Sequence, residues 1–301
     1  MNLTQIKGPL LLLLASAVWG LAMAFQSSAA DAISPFTFNA SRSLLAAVFL
    51  LVLLLIRYIS AKQIYEKNWG KLILGGSLSG LFLCVSINLQ QYGLSLYPAG
   101  SAASGRAGFL TATYVIMVAV FSMLRNKHFR LTIFFAVTGC IAGMYLLCRG
   151  GTGIGLQSTF RSGDLAMLGC AVSFSVYILL VEFFASGDAL FLSFLQFLVC
   201  GLLSLCGAFL WEKPSFQMLQ NAWLPIVYVG IFSSGIGYTL QMFGQKYTDA
   251  AVASIIMSLE SVFAALGGWL MLQEHLSPTE FFGCALVFLS VLLAQWPGRR
   301  R

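Results

Sequence analysis

Arg42, Arg106 and Glu260 have the clearest capacity for chemistry in this 301-residue sequence, because each sits inside an apolar run long enough to cross a membrane. A charge at the centre of a bilayer costs at least ~2.5–3.5 kcal/mol on insertion scales, so each needs a partner, water or a function. A guanidinium grips a carboxylate through paired hydrogen bonds, and a carboxylate attracts an ammonium group or carries a proton. The competing reading is a buried ion pair that only ties helices together. At 1.5 Å per residue, Arg42 and Arg106 lie roughly 10 Å from one face of the membrane and Glu260 about 16 Å from the other, which places all three in a common layer.

Other polar and aromatic side chains share these runs. Asn88, Gln90, Gln91 and Gln241 are amides suited either to interhelical hydrogen bonds or to ligand contact. Trp19, Tyr92, Tyr114, Tyr177, Tyr238 and Trp269 either line a cavity or pack between helices. The candidate substrate-binding set is therefore Arg106, Glu260, Arg42, Asn88, Gln90, Gln241, Trp19, Tyr114 and Tyr238.

No catalytic residue, metal site or cofactor is expected. Cys84, Cys140, Cys148, Cys170, Cys200, Cys206 and Cys284 lie in apolar runs without a C-x-x-C pair and read as small core residues. His128 and His275 lack ligand partners nearby in sequence. The Gly150–Gly155 stretch lacks the Lys-Ser/Thr of a phosphate loop and reads as a linker. Gly76 with Gly80, and Gly139 with Gly143, read as close-packing faces. With no Ser/His/Asp set or paired carboxylates, an enzyme is not expected.

The elements that hold these side chains follow from composition. Hydrophobic residues make up 59% of the chain and charged residues 9%, a surface that only lipid solvates. Apolar runs fall near 9–28, 36–57, 71–91, 99–124, 131–148, 164–184, 189–211, 222–243, 250–272 and 279–296, predicting ten membrane-spanning helices. The first resembles a secretory signal, yet it continues past Ala22-Met23-Ala24 and is retained as a span. With both termini cytoplasmic, twelve lysines and arginines fall inside and only Arg149, Arg161 and Lys213 outside, as the positive-inside rule requires. The net charge of +7 then reflects topology, and no nucleic-acid partner is implied.

The halves echo each other. Leu89-Gln90-Gln91-Tyr92-Gly93 recurs as Leu240-Gln241-Met242-Phe243-Gly244, Ala17-Val18 as Ala171-Val172, and Phe134-Phe135 as Phe281-Phe282, while Arg42 falls opposite Gln196. Five spans per half is an odd number, so the second half enters the membrane upside down. Residues 1–150 and 151–301 are thus expected to form two inverted five-helix repeats around a central site, the architecture of an alternating-access carrier.

The sequence resembles the drug/metabolite transporter superfamily, specifically its EamA-type members. The likeness rests on Ala17-Val18-Trp19-Gly20, on Arg42 followed by Ser43-Leu44-Leu45-Ala46-Ala47, on Gly163-Asp164-Leu165-Ala166, and on Ser258 to Leu266 continuing through Gly268-Trp269-Leu270 to Ser277. It implies a ten-helix secondary transporter, commonly an exporter of amino acids or other small metabolites. Ser261 stands where proline usually follows the glutamate, which removes the expectation of a proline kink beside Glu260, and Gln273-Glu274-His275 replaces a Gly-Glu-Arg ending.

The expected protein is an all-α, multi-pass carrier of the plasma or bacterial inner membrane. It exports amino acids or related zwitterions, with the bilayer and protons as further partners. Carriage of sugars, nucleotide-sugars or cationic drugs is the alternative within that class. A channel and a membrane-embedded enzyme are the alternatives outside it.

Overall fold

The computed structural model describes residues 3–30, 32–61, 68–96, 110–126, 130–150, 162–264, 266 and 277–295. Among them the regular structure is entirely helical, which is what lipid demands of an open chain, since each backbone amide must find its partner within its own segment. Six helices are long and apolar enough to cross a membrane: Ile6–Met23, Pro35–Ser60, Trp69–Ser95, Gly163–Phe184, Ala189–Trp211 and Trp223–Gln245. Four shorter apolar helices, Leu110–Arg125, Leu131–Leu146, Ala250–Ala264 and Pro278–Ala294, border residues outside the described set. The ten apolar runs of the sequence thus divide into six full spans and four shorter helices.

In chain order we label α1 (Leu3–Ala30), α2 (Pro35–Ala61), α3 (Trp69–Ser95), α4 (Tyr114–Asn126), α5 (Leu131–Gly150), α6 (Ser162–Phe184), α7 (Ala189–Trp211), α8 (Trp223–Gln245), α9 (Ala250–Met257) and α10 (Pro278–Gln295). Their ends follow ordinary capping chemistry. Asp188 accepts from the amides of Leu190 and Phe191 to open α7, and Asp249 accepts from Val252 to open α9. Ser277 and Glu280 form a reciprocal capping box at the start of α10. Large apolar side chains such as Val48, Leu55, Phe134, Phe135, Phe281 and Phe282 are exposed on the outside of the bundle, as they are where hydrocarbon is the solvent.

Helix pairs approach closely where glycines leave room. A Cβ on Gly143 would sit 2.7 Å from Val287 Cγ2 and 2.8 Å from the Gly283 carbonyl, so α5 and α10 meet backbone to side chain and run antiparallel. Gly76 faces Leu195 and Gly80 faces the Gln196 carbonyl, joining α3 to α7. Both G-x-x-x-G faces read from the sequence are packing faces here. The other contacting pairs include α2 with α7, α3 with α6, α1 with α8, α2 with α8, α4 with α9, α4 with α6 and α1 with α9.

The α2 and α7 helices are antiparallel and clasped at both ends. At one end Arg57 Nη2 lies 2.6 Å from Asp188 Oδ2. At the other, the Glu212 carboxylate accepts from the backbone amides of Phe36 and Thr37, each at 2.8 Å, and so caps α2 from outside that helix. Two further ion pairs share the Arg57 end, Arg125 with Glu182 and Arg130 with Asp249. Lys7 lies over the Tyr247 ring near them.

Two helices depart from the continuous runs expected of them. Within α8, residues Tyr228–Gly237 wind as a π-helix. The run from Ala250 breaks after α9 at Ser258 and Leu259, and helix resumes at Glu260. Without proline at 261, hydroxyls support this break: Ser258 donates to the Ile255 carbonyl at 2.6 Å and Ser261 to the Ser258 carbonyl at 2.8 Å. A matching turn at Thr113 precedes α4, where Thr113 Oγ1 donates to the Leu110 carbonyl at 2.6 Å.

Candidate substrate-binding site

The central cavity is built from the residues beside those two breaks and from the helices they touch. Thr111 and Tyr114 flank the first interruption, and Met257 and Glu260 flank the second; all four line it. Trp19, Met23 and Gln26 enter from α1, Arg42 from α2 and Gln90 from α3. Phe174, Tyr177 and Ile178 enter from α6, and Ser233, Tyr238 and Gln241 from α8. Its volume is about 50 Å3, room for roughly three or four water molecules.

Seven of the nine side chains singled out in the sequence therefore face one space: Trp19, Arg42, Gln90, Tyr114, Tyr238, Gln241 and Glu260. Arg106 lies outside the described residues, as do Trp269, His128, His275 and residues 151–155 of the glycine-rich linker. Asn88 is absent from the lining. Its amide nitrogen donates to the Cys84 carbonyl and to Ser204 Oγ, both at 2.8 Å, tying α3 to α7. Tyr177, one of the aromatics noted in the sequence, also lines it, and Gln26, Met23, Thr111, Phe174, Ile178, Ser233 and Met257 complete the wall, though nothing in the type of these seven had marked them.

Arg42 is almost fully enclosed, at 3% exposure, and its charge is solvated by amides. Nε donates to Asn39 Oδ1 at 2.7 Å, Nη1 to Gln26 Oε1 at 3.2 Å, and the guanidinium lies 5.4 Å from the Phe38 ring centre. Asn39 in turn donates to the Ile87 carbonyl and to Asn88 Oδ1, both at 3.0 Å. Replacing Asn39 with leucine removes the Nε acceptor and opens this network. The expected cost is about 2–3 kcal/mol, since hydrogen bonds to charged groups are the stronger ones. Denaturation in mixed detergent micelles measures it, and an unchanged midpoint would show that Arg42 does not depend on Asn39.

Glu260 is held differently. Among the described residues its carboxylate makes no hydrogen bond or ion pair, while its backbone is pressed against α1. A Cβ on Gly20 would come within 2.7 Å of the Glu260 carbonyl oxygen and 2.8 Å of the Ala264 nitrogen. Gly20 thus permits α1 to lie directly on the helix that carries Glu260. One turn away, Ser16 Oγ reaches the Ile256 carbonyl at 3.2 Å.

An unbroken series of aromatic rings runs along the wall. Ring centres run from Trp19 to Tyr238 at 4.7 Å, to Tyr177 at 6.0 Å, to Phe174 at 6.2 Å and to Tyr114 at 6.3 Å. Trp19 Nε1 is anchored on the Ser233 carbonyl within the π-helical segment at 3.2 Å. Tyr177 Oη donates to Gln241 Oε1 at 3.3 Å, and Gln241 donates to Gln245 Oε1 at 3.0 Å, so a polar chain leaves the cavity along α8.

Below Ile178, Glu182 ties three cavity helices together. Its carboxylate pairs with Arg125 at the end of α4 and accepts from the Ala250 amide at the start of α9, 2.9 Å away. Glu182→Gln weakens that knot. A cysteine placed at Ile178 is then expected to react roughly two- to fivefold faster with a polar thiol reagent, as suits a partly exposed pair. An unchanged rate would mean that the pair does not restrain this mouth.

A lipid-exposed helical bundle around a charged, aromatic cavity defines a membrane transporter, and the comparisons agree. The EamA-like transporter family matches twice, over residues 6–149 and 161–296, and the chain belongs to that family. An uncharacterized transporter of Archaeoglobus fulgidus is 29% identical, over 94% of this chain and 83% of that protein. The uncharacterized transporter YoaV of Bacillus subtilis is 21% identical, over 94% and 95% respectively. One solved crystal structure shares the fold with a TM-score of 0.77 at 22% identity, covering 95% of this chain and 96% of its own.

Proposed function

We propose that this transporter is a secondary carrier that moves a small organic solute by alternating access. The observation that carries the reading is the meeting of Arg42 and Glu260, from opposite halves of the chain, on one central cavity. Amino acids or related zwitterions are the proposed cargo, because the wall offers both signs of charge beside aromatic faces. The cavity as found, about 50 Å3, is smaller than such a solute, and the cavity is proposed to widen as cargo binds.

The proposed architecture is two five-helix repeats, 1–150 and 151–301, inverted with respect to each other. Exchanging α1 with α6, α2 with α7, α3 with α8, α4 with α9 and α5 with α10 turns the α3–α6 contact into α8–α1, α3–α7 into α8–α2 and α4–α6 into α9–α1, all of which occur. The exchanged partners α2 and α7, and α5 and α10, run antiparallel, as inversion requires. The double family match supports the same division. Interrupted helices beside the site suit a carrier, because unwound backbone is tolerated within a membrane where it borders a cavity.

The proposed setting is the plasma or bacterial inner membrane with both termini cytoplasmic. The gathering of Arg57, Arg125, Arg130 and Lys7 at one end of the bundle supports that orientation. Export is the proposed direction.

Counterflow in proteoliposomes tests the carrier reading. Vesicles loaded with unlabelled solute are expected to draw in labelled solute transiently, and the rate is expected to saturate. A flux that neither saturates nor accelerates with solute on the far side would make the protein a channel.

A further inference from the structure

The carboxylates of this protein are not equivalent. Glu182, Asp188, Glu212, Asp249 and Glu280 each meet an arginine, backbone amides or both. Glu260 lines the cavity and, among the described residues, meets neither. The arginine that shares its cavity is held by neutral amides, Nε of Arg42 donating to Asn39 and Nη1 to Gln26. Among the described residues the cavity therefore presents a carboxylate without a partner and a guanidinium part of whose donors are already taken.

Its aromatic arc points the same way. Trp19, Tyr238, Tyr177, Phe174 and Tyr114 form one chain of ring contacts along the wall on which Glu260 stands. Ring faces attract cations, more strongly where water is excluded, and they accept the methyl groups of an alkylated ammonium as readily as its charge. A carboxylate gains nothing from such faces.

Resting on the reading of this cavity as the transport site, we infer that the protein recognises the ammonium end of its cargo, so that organic amines without a carboxylate are substrates alongside amino acids. Glu260 supplies the counter-charge and the aromatic arc holds the alkyl groups around the nitrogen. The carboxylate of an amino acid is tolerated and not read.

Three probes with one branched body separate these contributions in the full-length protein in lipid nanodiscs: 3-methylbutylammonium, leucine and N-acetylleucine. Ligand-induced thermal shift reports their affinities. The amine is expected to bind at least as tightly as leucine, and N-acetylleucine at least tenfold more weakly than the amine. Glu260→Gln is expected to erase that preference. Equal binding of N-acetylleucine and the amine, a preference that survives Glu260→Gln, or no binding by either ammonium compound would overturn the inference.

A second comparison needs no variant. Choline is expected to displace the bound amine at least tenfold better than 3,3-dimethylbutanol, its uncharged isostere, and equal displacement would overturn the inference as well. The carrier reading fails separately. Saturable counterflow of an uncharged solute alone would leave the carrier standing and remove ammonium recognition, whereas amine binding without counterflow would do the reverse.

Discussion

Exchange transport is expected to fall roughly 10- to 100-fold when Glu260 is replaced by glutamine, the loss that follows from removing one charge-assisted contact of about 1.5–3 kcal/mol. The substitution keeps side-chain volume and the capacity to hydrogen-bond, so it tests charge alone. Among the described residues the carboxylate has no hydrogen bond or ion pair to lose. Thermal unfolding of the variant is therefore expected to resemble that of the parent while counterflow collapses. A variant that transports at the parental rate would remove Glu260 from the mechanism.

Gly20→Ala is the second large effect. The added methyl would lie 2.5 Å from Phe263 Cβ, 2.7 Å from the Glu260 carbonyl oxygen and 2.8 Å from the Ala264 nitrogen. Two of those atoms belong to the backbone and have no rotamer to escape into, so the helices must separate. Overpacking of this kind costs about 1–3 kcal/mol, and the separation displaces the backbone that presents Glu260. Lower thermal stability and lower counterflow are expected together. Gly70→Ala is the matched control, because the nearest atom to its new methyl is Asn68 Oδ1 at 3.7 Å. If both variants behave alike, close approach at Gly20 is not what positions Glu260.

The likeness between sequence and structure is strongest where charge meets apolar surroundings. Arg42 and Glu260 could be placed at a common depth from helical rise alone, and they do share a cavity. Gln90 and Gln241, matched between the halves, both reach it. Asn88 does not, because depth says nothing about azimuth: in a membrane bundle the lipid side and the protein side of a helix are equally apolar, so hydrophobic periodicity cannot point a side chain inward. Gln26 was passed over for a related reason. It stands near the end of the first apolar run beside Ser27 and Ser28, where a polar residue reads as a boundary, yet it is buried and accepts from Arg42.

The break before Glu260 was hidden by the opposite error. Proline is the usual mark of an interrupted helix, and Ser261 stands there instead. Serine hydroxyls that reach back three residues support the same interruption without leaving a proline in the sequence. The π-helical stretch of α8 carries no such mark either. Its Gly230, Gly235 and Gly237 lie against Leu45, Phe49 and Trp19, close approaches between helices that a single sequence does not display.

The ion pairs described between side chains, Arg57 with Asp188, Arg125 with Glu182 and Arg130 with Asp249, all join an arginine of residues 1–150 to an acid of residues 151–301 at a single end of the bundle. Dissolved electrolyte screens exposed charges. Brine therefore loosens the seam between the two halves at that end of the bundle.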